Sequence, residues 1–98
     1  MPKGSPNARE YGENLAIQAL GFLAQDPERL GRFLSLAGIG PDDIREAAAD
    51  SGFLAGVLDH VASDEPLLLA LAEHIGVKPE AVMRAHAALS GHYERDVP

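Results

Sequence analysis

An all-α fold is predicted by three features of this 98-residue chain: a helix-forming composition, regularly placed prolines and glycines, and apolar residues that recur at helical spacing. Alanine and leucine dominate while β-branched residues are scarce, so little side-chain entropy opposes a helix. Proline stands at 27, 41, 66 and 79, each adjoining an acidic residue. A proline in the first helical turn forfeits no hydrogen bond, and a carboxylate there meets the positive end of the helix dipole. Gly38 and Gly76 stand where helices should stop, because glycine enters the left-handed conformation without a Cβ clash. No segment alternates with period two, and no strand is expected.

Residues 1–8 carry Pro2, Gly4, Ser5 and Pro6 with almost nothing to bury, and read as a loose tail. A first helix is expected over about 9–25. Asp26 should cap a second, 27–37, in which Leu30, Phe33, Leu34 and Ala37 form one stripe at i, i+3, i+4 and i+7. Pro41, followed by Asp42 and Asp43, opens a third over about 41–49. Ser51 is the expected cap of a fourth, 52–63, with the stripe Phe53, Leu54, Val57, Leu58 and Val61. Asp64 should cap a fifth, 65–75, and Pro79 opens a sixth, 79–89. Residues 91–98 read as a second tail, which leaves 9–90 as a single helical domain. The expected core is Leu20, Leu23, Leu30, Phe33, Leu34, Ile39, Ile44, Phe53, Leu54, Val57, Leu58, Val61, Leu68, Leu71, Ile75, Val77 and Val82.

Shifted by 38 residues, the sequence resembles itself. Asp26 falls on Asp64, Leu30 on Leu68, Phe33 on Leu71, Gly38 on Gly76, Ile39 on Val77, Pro41 on Pro79, and Asp42 on Glu80. The shared order is helix, glycine stop, one β-branched residue, proline, acid, new helix. Two copies are too few for an open solenoid, so three-helix pseudo-repeats over 15–51 and 53–89 are expected to clasp into one compact bundle related by a pseudo-twofold axis.

The segments Leu15–Leu20, Asp26–Leu30, Gly38–Asp43 and Gly52–Asp59 resemble the small bacterial family catalogued as domain of unknown function 3572, over roughly residues 13–88. The resemblance implies a compact helical protein of about this length. It implies no catalytic residues, because the family has no assigned activity.

Composition and motifs narrow the function classes. The longest apolar run, Leu67–Ala72, is far short of the roughly 20 residues that span a membrane. Met1–Ala8 does not read as a signal peptide, and the absence of cysteine fits a cytoplasmic protein. Net charge is −7, and Arg45 is the sole cation between Asp42 and Glu65. That balance repels phosphate backbones and anionic lipid; solubility is its preferred reading, and attraction to a basic partner is the functional alternative. Gly38-Ile39-Gly40-Pro41 resembles the turn of helix-hairpin-helix nucleic-acid-binding modules, in which backbone N–H groups hold a phosphate. Asp42 and Asp43 already occupy that helix start, so a structural turn is the preferred reading. The histidines, His60, His74, His86 and His92, show no i, i+3 or i+4 pairing, and no metal is expected. No nucleophile elbow, P-loop or dinucleotide fingerprint is present, so no catalytic or cofactor-binding residue is assigned and no enzyme is expected. The preferred reading is a cytoplasmic interaction or adaptor module with a protein partner or a second copy of itself; the alternative is a nucleic-acid-binding hairpin protein.

One surface stands out. Arg29, Gly31 and Arg32 of the first copy become Leu67, Leu69 and Ala70 in the second. The inward stripe is already supplied by Leu68, Leu71 and Ile75, so this added apolar face needs a cover. Either the first helix folds over it, or it is a partner interface.

Overall fold

The computed structural model describes residues 4–90. Its helices are α1 (Gly4–Ala24), α2 (Pro27–Ala37), α3 (Ile44–Ala47), α4 (Ser51–Ala62), α5 (Glu65–Ile75) and α6 (Pro79–Ser90); a 3₁₀ turn, Pro41–Asp43, leads into α3. The fold is a six-helix bundle without strands among the described residues. α1 starts earlier than expected, so residues 4–8, assigned to the tail, are helical. Pro6 sits in its first turn, the one place where a missing N–H is free. Residues 1–3 and 91–98 lie outside the described residues.

The helix boundaries follow from local chemistry. Asp26 and Asp64 are both extended, at φ −122° and −129°, and both carboxylates accept from the first turn of the helix that follows. Oδ1 of Asp26 takes the N–H of Glu28 at 3.1 Å, and Oδ1 of Asp64 takes that of Leu67 at 3.3 Å. Gly38 and Gly76 close α2 and α5 at φ 72° and 76°. Behind each, a β-branched residue folds back: the N–H of Ile39 donates to the Leu34 carbonyl at 3.0 Å, and that of Val77 to the Ala72 carbonyl at 2.9 Å. These are the bonds of a left-handed C-terminal cap.

No atom lies within 4 Å of a Cβ placed on Gly38, so alanine there meets only backbone strain. Gly38→Ala should cost about 1 kcal/mol in denaturant melts. Gly31→Ala, at an open position inside α2, should be neutral or stabilising. Equal stability of the two variants would contradict the strain argument.

Burial follows the 38-residue offset in α1 and α4: Ala16, Ala19, Leu20 and Leu23 of α1, and Leu54, Val57, Leu58 and Val61 of α4, lie 38 residues apart in sequence, and all are buried. α2 packs on α1 as α5 packs on α4, and α2 and α5 each also touch the other half's long helix. The third helices break the pattern. α6 runs for 12 residues and lies against both α1 and α4, whereas α3 has four residues and no comparable helix contact. The cause is local. Asp50 leaves the helical region, at φ −102° and ψ 121°, to cap α4 through the N–H of Gly52. The third helix must therefore stop by Ala47, short of the expected 49. The cap is Asp50 and not Ser51, whose hydroxyl instead donates to Glu13 Oε2 on α1 at 3.0 Å.

Of the expected core, Leu20, Leu23, Phe33, Leu34, Leu54, Val57, Leu58, Val61, Leu71 and Val82 are buried. Leu30, Ile39, Ile44, Phe53, Leu68, Ile75 and Val77 pack against it while partly exposed. The additional buried residues are Leu15, Ala16, Ala19, Leu67, Ala72, Ala81, Ala85 and Leu89. Five of these are alanines, and close helix approach accounts for several. At Gly12 a Cβ would meet the Ala85 carbonyl oxygen and Leu89 Cγ, each at 3.1 Å, so α1 and α6 touch almost backbone to backbone.

Candidate interaction surface

The surface expected at Leu67, Leu69 and Ala70 is divided by the fold. Leu67 is 1% exposed and belongs to the core, whereas Leu69 is 48% exposed and Ala70 lies open. The inward face of α5 is thus Leu67, Leu71 and Ala72, with Leu68 and Ile75 at its edges. α5 is touched by α1, α4 and α6, which cover a wider arc than α2 buries; Arg29, the counterpart of Leu67, stays outside. Contact from α1 includes the Phe22 ring, 4.9 Å from the His74 ring. Leu67 is therefore buried within the chain itself and is not part of an exposed face. Ala70 borders a shallow depression with Phe22, Gln25, Asp26 and Arg29. Arg29 is held in the α2 cap, its Nε donating to Asp26 Oδ2 at 3.3 Å.

A groove that sequence reasoning missed lies between α2 and α4. It encloses about 340 Å³, with Leu36 and Ala37 on one side, Gly56, Asp59, His60 and Ser63 on the other, and the buried Phe33 among its lining residues. Phe33 is fixed by the rings of Phe53 at 5.7 Å and His60 at 5.1 Å. Leu36 is 74% exposed, the most exposed of the described large apolar side chains. The available signal was its register: Leu36 falls outside the stripe formed by Leu30, Phe33, Leu34 and Ala37, so α2 has no inward place for it.

The polar groups near the groove are committed to the fold. Asp59 pairs with His86 of α6, Oδ1 to Nε2 at 3.3 Å, and not with the adjacent His60. The Ser63 hydroxyl donates to the Asp59 carbonyl at 2.9 Å, and that of Ser90 to the His86 carbonyl at 2.9 Å. His60, His74 and His86 thus each have a separate structural partner; His92 lies outside the described residues.

At the hairpin, Gly38 is left-handed while Gly40 is extended at φ −80° and ψ 155°, a conformation open to any residue. Lys78 stands at the corresponding place in the second half. Asp42 and Asp43 are exposed at the start of the 3₁₀ turn, where a phosphate would have to bind. No described helix is long and apolar enough to cross a membrane.

The family model described as protein of unknown function, DUF3572, matches residues 9–92. No curated protein and no solved structure matches the chain.

Proposed function

The chain belongs to the DUF3572 family, and on that footing we propose that it is a helical interaction module working through its outer surface, without catalysis of its own. The observation that carries this reading is Leu36, largely exposed beside the groove that contains Phe33. A leucine held in water beside an apolar cleft gains about 1.5–3 kcal/mol when a partner covers it, a gain the isolated fold forgoes. The groove is shallow and holds no uncommitted nucleophile among its described residues, so a surface contact suits it better than an enclosed substrate. The occupant in this reading is a protein, either a separate partner in the cytoplasm or a second copy of the chain. No observation at the hairpin favours the nucleic-acid alternative.

Leu36→Asp tests the reading. Because the side chain touches little of the core, the melting temperature should stay within about 1–2 °C of the parent. Proteins retained by the tagged parent chain should be lost with the variant, or a parent dimer should become a monomer by light scattering. Identical retention and identical mass for parent and variant would overturn it.

A further inference from the structure

The seam where α1 meets α6 has a counterpart in the other half, and there it is open. Moving 38 residues along the chain carries Gly12 onto Asp50 and Leu15 onto Phe53; moving back carries Ala81 onto Asp43 and Ala85 onto Ala47. In the α1–α6 seam Ala85 and Leu89 crowd Gly12, and Leu15 and Ala81 are buried. The counterparts Asp43, Ala47, Asp50 and Phe53 line a groove of about 510 Å³ between the end of α3 and the start of α4. Ile39, Ala47 and Phe53 are its half-buried apolar lining, and Asp43, Glu46 and Asp50 are its exposed carboxylates. None of the three carboxylates is ion-paired to a described lysine or arginine. Arg45, the nearest cation in sequence, lines a separate depression with Pro41, Asp42 and Ile44.

We propose that this groove docks an amphipathic basic segment of a partner protein, with apolar side chains on Ile39 and Phe53 and lysine or arginine side chains toward Asp43, Glu46 and Asp50. Two observations lead there independently. Between the end of α3, which stops at Ala47, and the start of α4, Ile39, Ala47 and Phe53 are left half-buried and uncovered, an apolar strip on which the greasy face of an amphipathic segment can lie. The rim carries three negative charges and no described counter-ion, so a cationic occupant is attracted where an anionic one is repelled. The surface is distinct from the Leu36 groove and stands whether or not that one binds.

The probe is a fluorescein-labelled twelve-residue helical peptide with leucines at i, i+3, i+4 and i+7 and lysines elsewhere, titrated with the full chain by anisotropy. Binding is expected to weaken as salt rises. Asp43→Asn/Glu46→Gln/Asp50→Asn should weaken it at least about tenfold, several rim ion pairs being lost together. Asparagine keeps the α4 cap at position 50, so the fold survives that change. Glu65→Gln/Glu73→Gln/Glu80→Gln removes the same charge from exposed sites outside the groove and should leave affinity within about twofold of the parent. Serines in place of the peptide leucines should cost at least about tenfold. Equal losses in the two triple variants would reduce the effect to net charge and overturn the proposal. An unchanged affinity in the groove variant, or no saturable binding by the parent, would overturn it equally.

Discussion

Leu67→Glu should abolish cooperative folding. Truncating a buried leucine costs about 2–5 kcal/mol, and a carboxyl group at this 1%-exposed position must be either buried without a partner or hydrated by prying α5 away. Their sum is comparable with the whole stability of a small domain, about 5–15 kcal/mol. In circular dichroism the variant should lose its sharp thermal transition and elute early in gel filtration. Leu69→Glu, two residues on but 48% exposed, should melt within about 0.5 kcal/mol of the parent. A Leu67→Glu protein as stable as the parent but halved in mass would reverse the assignment and make the face an interface.

Phe33→Ala is the second large effect expected, at about 3–5 kcal/mol. The ring is 4% exposed and joins α2 to α4 through Phe53 and His60. Its loss leaves a void beside the Phe53 and His60 rings. Urea unfolding should show a lower midpoint with an unchanged slope, since the surface exposed on unfolding is nearly the same. An unchanged midpoint would place Phe33 outside the core. Phe33→Leu, which keeps much of the volume, should cost less than half as much.

These two residues also mark what the amino-acid sequence discloses and what it hides. Phe33 was legible because α2 is amphipathic: one stripe is apolar and the remainder mostly polar, so only one rotation of the helix is acceptable. Leu67 was not. In α5 the run from Leu67 to Ala72 is apolar all round, every rotation buries something greasy, and periodicity cannot choose among them. Contact with α1, α4 and α6 makes the choice. Caps were legible where the chemistry is strict, as at Asp26, Asp64, Gly38 and Gly76. The α4 cap was displaced by one residue because Asp50 and Ser51 are both competent and only the backbone decides. The alanines of α1 and α6 were overlooked for another reason. A small side chain carries little hydrophobic weight, and its value lies in how near it lets another helix come. The Leu36 groove and the acidic-rimmed groove are products of tertiary geometry, which no single stripe announces.

The contact of Gly12 with Ala85 and Leu89 bears on how the chain is made. The seat that the first helix needs is supplied by the last, so the inward face bearing Ala16 and Ala19 lacks its α6 cover while the polypeptide is still being synthesised. Closing so long a loop carries an entropic penalty that grows only slowly with length, but it cannot be met until α6 exists. Translation proceeds at about 5–20 residues per second, and a ribosome-bound chain stopped before Pro79 holds α1 and α4 without the helix that lies against both. Such nascent chains should be open to protease at every length up to the emergence of α6 and become resistant in a single step after it, with α1 leaving the ribosome well before the helix on which it packs.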